Sequence, residues 1–168
     1  MLRRAILQDL DGVLRIENRC FGAERFSRRQ LRYLLAKAHG ETWLDEHEGA
    51  IRGYVMLLFS ASTSPGRIYS LAVDPDFQRQ GVAARLVEQA EGCAQARGCG
   101  SLRLEIRVDN QPSLGLFRRM GYREVARLPG YYPNGVDGLR FEKPLQVESL
   151  STAARARSFE QAVTIPAA

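Results

Sequence analysis

Along the chain, apolar residues recur first every three or four positions and then every two, and the changes of period cut the sequence into helix-length and strand-length pieces. "LRRA" near the start reads as a short edge strand. Leu10, Val13, Leu14 and Glu17 then fall at helical spacing and predict a first helix over Asp9 to Asn18. In a second helix, Ser27 with Gln30 three places on makes a capping box, Leu31, Leu34, Leu35 and Ala38 form the apolar stripe, and Gly40 marks the end. "ETWLDE" and "AIRGYVMLLF" flank the turn-like "HEG", and Ile51, Gly53, Val55, Leu57 and Phe59 alternate as in a half-buried hairpin strand. "SASTSPG" reads as a loop, and "RIYSLAV" as a third consecutive strand stopped by Asp74-Pro75-Asp76.

The period then lengthens again. Val82, Ala83, Leu86, Val87, Ala90, Cys93 and Ala94 trace one face of a helix that ends at Arg97-Gly98. In "SLRLEIRV" the residues Leu102, Leu104, Ile106 and Val108 share one side of a strand, so strand, helix and strand imply a right-handed parallel crossover. Pro112 opens a short helix with Leu114, Phe117 and Met120, closed by Gly121, and "YREVARL" and "GLRFEKPL" make a final hairpin. From residue 145 to 168 the chain is rich in small residues with weak periodicity, which predicts a mobile or loosely docked tail behind one domain spanning 1–144.

Composition narrows the class. A chain of 168 residues, 45% hydrophobic, can bury a core without disulfides or a structural metal. The longest apolar run, Tyr54 to Phe59, is far short of the roughly 18 residues of a membrane span, and Met1 opens no signal-peptide pattern, so a cytoplasmic location without a membrane partner is expected. Cys20, Cys93 and Cys99 are odd in number and lack ligand spacing, which points to buried reduced thiols and no metal. The net charge of +5 is spread as single arginines and pairs, which argues against nucleic acid and suits a phosphate-bearing ligand.

Gly81 stands at the mouth of the crossover helix, where glycine costs helix stability. A helix start offers unpartnered N–H groups and the positive end of the macrodipole, and phosphate oxygens reach several amides only where the backbone is bare. Gln80, Gly81, Val82 and Ala83 meet that need, although Gly81 alone could equally relieve crowding at the turn. Neither G-x-x-x-x-G-K-[ST] nor G-x-G-x-x-G is present at the first strand-to-helix turn.

"QRQGVA", Gln78 to Ala83, resembles the Q/R-x-x-G-x-G/A signature of the GCN5-related N-acetyltransferases (GNAT), and its setting between "YSLAVDPDF" and "LRLEIRVDNQPSLGLFRRMGYREV" matches that family's order of motifs. "LEIR", "DNQPSLGLF" and "YYPNGVDG" are similar to the ribosomal-protein alanine acetyltransferase branch. The resemblance implies an α/β fold with a mixed sheet of about six or seven strands, splayed between the fourth and fifth, and about four flanking helices. It implies that Gln78, Arg79, Gln80, Gly81, Val82 and Ala83 hold the pyrophosphate of acetyl-coenzyme A. The backbone of Leu71, Ala72 and Val73, on a bulged strand, would pair with the pantetheine arm, and Asn110 and Phe117 would also touch the cofactor. Glu105, on the polar side of its strand, matches the branch's general base, acting through water; the same carboxylate could simply pair with Arg103 or Arg107. Phe117 departs from the family, which commonly has a tyrosine acid there, and Tyr132 is the first candidate to replace it, ahead of Tyr122 and Tyr131. The implied acceptor is a peptide N-terminal amine or a small amine such as a polyamine, amino acid or aminoglycoside, used by a monomer or homodimer. A non-catalytic acyl-coenzyme A binder is the rival that Phe117 suggests.

Overall fold

The computed structural model describes residues 1–36, 39–60 and 65–146; Ala38, most of the "SASTSPG" loop and the tail beyond 146 lie outside them. Seven strands form one sheet: β1 (Leu2–Arg4), β2 (Gly40–His47), β3 (Ala50–Leu58), β4 (Gly66–Val73), β5 (Ser101–Arg107), β6 (Arg123–Leu128) and β7 (Gly138–Pro144). Among the described residues four α-helices accompany them: α1 (Leu10–Cys20), α2 (Arg28–Ala36), α3 (Val82–Ala96) and α4 (Gln111–Arg119). The spatial order is β1-β2-β3-β4-β5-β7-β6. Among the described residues only β4 and β5 pair in parallel, joined by the α3 crossover, and β7 inserts between β5 and its own hairpin partner β6.

Two cores sit on opposite faces of the sheet. Val55 and Leu57 of β3 join Leu86, Val87 and Ala90 of α3 and Leu114 and Phe117 of α4, while Tyr54 and Met56 turn the other way onto Val13 and Ile16 of α1 and Leu31 of α2. The period-two reading of β3 as half-buried therefore needs correction. Every residue from Gly53 to Leu57 is buried, because helices cover both faces, and such strands carry continuous apolar runs. At roughly 2 kcal/mol per fully buried large apolar side chain, this central strand is a principal anchor of the fold.

Other expectations shift at their boundaries. The first helix starts after a 3-10 turn, Leu7–Asp9, and runs on to Cys20. Gly40 is no helix stop: it opens β2 opposite Leu58, and a Cβ there would lie 1.8 Å from the Leu57 carbonyl oxygen, so close backbone approach requires glycine. Cys99 is buried, but Cys20 and Cys93 are only partly so, and all three are free thiols. Among the described residues no helix is long and apolar enough to cross a membrane, and no cluster of three or more His, Cys, Asp or Glu side chains is arranged to hold a metal ion.

Candidate active site

β4 and β5 begin as neighbours and then part. Their register is limited to Gly66 opposite Leu102 and Arg67 opposite Arg103. Just beyond, the pairing of β4 with β3 slips between Met56 and Leu57, which leaves Tyr69 as an extra residue and bends β4 away. Among the described residues the edge of β4 that faces β5 consequently has no ladder partner from Ile68 to Val73. Into this V opens a cavity of about 210 Å³, lined by Leu71 and its neighbours on β4, Leu104 to Arg107 on β5, Asn110 and Phe117 at α4, Tyr132, and Glu17, Glu24 and Phe26 from α1 and the loop after it.

Glu105 stands in the wall of that cavity. Its side chain is only 5% exposed, yet its charge is compensated on both sides. Arg67 Nε donates to Oε2 at 3.0 Å, and Arg140 donates to Oε1 through Nε and Nη2 at 3.3 Å. The expected partners Arg103 and Arg107 are not the ones used. Arg140 lies directly opposite Glu105 on β7, whereas Arg107 is taken up by Glu24 and Asp109. Two oxygens with one strong donor side each leave lone pairs for a water or an ammonium, so the carboxylate is pinned without being used up.

Tyr132 shares the cavity. Its ring meets Tyr131 edge-on at 5.0 Å and lies 5.6 Å from the Arg107 guanidinium carbon, and burial pushes its hydroxyl up to about 12. A phenol so shifted is a weaker acid than usual but a dependable hydrogen-bond donor. The other two tyrosines do not line the cavity. The Tyr122 hydroxyl donates to Glu91 at 3.0 Å, and the Tyr131 hydroxyl accepts from Arg67 at 3.1 Å. Asn110 caps α4, accepting from the Ser113 amide at 3.2 Å, and still borders the cavity. Phe117 is 1% exposed and set edge-on to Tyr122 at 5.1 Å, which fixes its ring in the cavity wall.

The start of α3 lies beyond the far end of β4, outside this cavity. Gly81 is the residue before the helix and holds a left-handed backbone, φ 74° and ψ 11°. Arg79 is also left-handed, at φ 62°. The side chains of Gln78, Arg79 and Gln80 are exposed, and that of Val82 is buried in the core, so Val82 can present only its N–H to a ligand. Ala83 is half-buried. The first amides of any α-helix lack intrahelical acceptors; a Cβ at Gly81 would come within 3.3 Å of Arg85 Nη1, which donates to the Gln80 carbonyl while its guanidinium pairs with Asp45. Ala72 likewise turns its side chain into the α1 core, and Val73 is half-buried.

One constellation escaped the reading of the sequence. Glu17, 1% exposed, accepts the Phe26 amide on Oε1 at 2.8 Å and the Tyr54 hydroxyl on Oε2, and Tyr54 lies 3.2 Å from Ser70 Oγ. Burial raises the Glu17 carboxyl above the usual range, against the pull of those two hydrogen bonds. The available signal was a glutamate in step with the apolar stripe Leu10, Val13, Leu14.

The model of the acetyltransferase (GNAT) family matches residues 10–122. An N-alpha-acetyltransferase of Sulfurisphaera tokodaii is 26% identical over 155 residues, covering 86% of this chain and 92% of that one. The [ribosomal protein bS18]-alanine N-acetyltransferase of Escherichia coli K12 is 36% identical over 66 residues, 39% of this chain and 45% of that protein. A crystal structure of the Escherichia coli ribosomal-protein-S18-alanine N-acetyltransferase superposes with a TM-score of 0.79 at 22% identity, covering 90% of this chain and 97% of that one. With a splayed mixed sheet, a bare helix start after its fourth strand, and a family match over most of the described residues, the chain belongs to the acetyltransferase (GNAT) family.

Proposed function

We propose that the protein transfers an acetyl group from acetyl-coenzyme A to a primary amine, with the N-terminal amine of a protein or peptide as the first choice. The single observation that carries this reading is the V between β4 and β5, which has a bare helix start beyond one end and a buried carboxylate in its wall. The names borne by the relatives, N-alpha-acetyltransferase and ribosomal-protein alanine acetyltransferase, favour the peptide acceptor.

In this mechanism the amides of Gln80 to Ala83 hold the diphosphate, Gln78 and Arg79 border it, and the free edge of Leu71 to Val73 pairs with the pantetheine arm as an added strand would. The thioester carbon then meets the amine in the cavity, which is large enough for the reacting groups alone. Glu105 takes a proton from the amine through a water as the nitrogen attacks. The carbon–sulfur bond breaks without a covalent enzyme intermediate. A thiolate with a pKa of about 8.5 departs with little help, and Tyr132 at about 12 would serve it as a hydrogen-bond donor more readily than as a proton source. Asn110 and Phe117 border the thioester.

Peptides with a free N-terminal alanine or serine, compared with polyamines, amino acids and aminoglycosides, test the acceptor; acetylation of small amines alone would move the assignment to them. Phe117, which cannot donate a proton, supports a second reading as a non-catalytic acyl-coenzyme A binder. Tight binding with no turnover on any amine would establish that reading instead.

A further inference from the structure

An N-terminal amine arrives mostly as an ammonium and leaves as an amide, so two protons must depart from its nitrogen, and one base accounts for one of them. On the β4 side of the cavity lies a second polar chain that the mechanism above does not use. Ser70, beside the bulge of β4, borders the cavity; Tyr54 Oη lies 3.2 Å from its Oγ, and Tyr54 donates in turn to Glu17 Oε2. We propose, resting on the amine acetyltransferase reading, that Ser70, Tyr54 and Glu17 form a relay that removes the first proton from the substrate ammonium before attack.

The step balances. The ammonium N–H bond breaks and its proton passes to Ser70 Oγ, the Ser70 proton to Tyr54 Oη, and the Tyr54 proton to Glu17 Oε2. The products are a neutral amine and a neutral Glu17 carboxylic acid, which later returns its proton to solvent by the same path. Glu105 is left to take the second proton during attack, and that one can follow to the thiolate. The two carboxylates differ in the way a pair with divided roles requires. Glu105 is held between two guanidinium groups, whereas among the described residues no arginine or lysine pairs with Glu17. The groups facing Glu17 are Tyr54 from β3, Ser70 behind it from β4, the Phe26 amide, and the Cys20 thiol of its own helix with the Asp74 carboxylate beyond; Glu24 and Glu105 share the cavity. Arg107 also lines the cavity but is paired with Glu24 and Asp109, and Arg19, beyond Asp74, is paired with Asp74 and Asp76, so each of these guanidinium groups has carboxylate partners of its own.

The test is the pH dependence of kcat/KM for a peptide amine in Tyr54→Phe, Ser70→Ala and Glu17→Gln. A cut relay should lower kcat/KM by tenfold or more about one to two units below the amine pKa of ~8, and the deficit should close above it, where the amine arrives neutral. KM for the acyl donor should not move. Loss by the same factor at every pH, recovery of the wild-type profile by Glu17→Gln, or no loss in any variant would overturn the relay and leave Glu17 as a brace for the loop carrying Phe26. Ser70→Ala, on the half-buried strand edge, serves where Tyr54→Phe fails to fold. If the wild type acetylates no amine, the acetyltransferase reading fails separately, and carbon-13 titration of the full chain still decides: Glu17 carboxyl and Tyr54 ring carbons shifting together as the pH rises above the ordinary carboxylate range support a shared proton, and independent behaviour refutes it.

Discussion

Gly81→Ala tests the link between backbone strain and ligand binding. Gly81 sits at φ 74°, where an L-residue costs about 1–2 kcal/mol. The added Cβ would lie 3.3 Å from Arg85 Nη1, which donates to the Gln80 carbonyl and belongs to a guanidinium paired with buried Asp45, so any displacement of Arg85 adds to this conformational cost. The variant has two responses. If it keeps the left-handed turn, the free protein loses that ~1–2 kcal/mol, which for a domain of this size lowers Tm by roughly 2–8 °C. If it relaxes to an ordinary φ, the Gln80 and Gly81 amides turn away and the same free energy is lost from binding, a factor of about 5–30 in Kd for acetyl-coenzyme A. Calorimetric titration and thermal unfolding, run on the same preparation, should account for the full cost between them. Gly81→Asn sharpens the test: asparagine tolerates the left-handed turn, so stability should return while its side chain still obstructs the phosphate. A Gly81→Ala protein with both Tm and Kd unchanged would refute the reasoning.

Further expectations concern the cavity. Glu105→Gln should reduce kcat by about 10²-fold or more near neutral pH, as loss of a general base does, with affinity for acetyl-coenzyme A nearly intact; an unchanged rate removes Glu105 from the chemistry. Phe117→Tyr should raise turnover or leave it unaltered in a steady-state assay, and a large loss would mean that the wall formed with Tyr122 has been rebuilt around an unsubstituted ring. Burial holds the Glu17 carboxyl above its ordinary value of 4.5, so the folded chain binds that proton more tightly than the unfolded one. Its stabilising contribution is full below about 4.5 and is lost as pH rises through the raised folded value. Urea midpoints should therefore fall less steeply with rising pH in Glu17→Gln than in the wild type, and parallel curves would contradict the assignment.

Periodicity carried most of the architecture because helix and strand faces repeat on scales of a few residues. The α3 stripe, the alternation in β5 that sends Glu105 away from Leu104 and Ile106, and the Asp74-Pro75 stop after β4 are all local. What local pattern does not encode is which edges meet. The insertion of β7 between β5 and β6 brings Arg140 opposite Glu105, and a hairpin read from sequence is silent about which of its strands faces inward. Gly40 looked like a helix stop because its contact with the Leu57 carbonyl spans seventeen residues of chain. Glu17 fell in step with apolar neighbours, but its meaning rests on Tyr54 and Ser70, two strands away. Phe117 was readable as a departure from the family, and its edge-on packing against Tyr122 explains how the ring is kept in place without a hydroxyl.

The brief register between β4 and β5 makes this molecule two sheets sharing a short seam. The halves are further joined by α3, which touches strands on both sides of the seam, and by the Arg67–Glu105 and Arg107–Glu24 ion pairs. A donor molecule lying in the opening would act as a removable eighth strand, and at a hundred times its Kd it would add about 2.7 kcal/mol to the stability of the whole. On the proposed reading, the resting chain is an unfinished sheet that its donor would complete and stiffen.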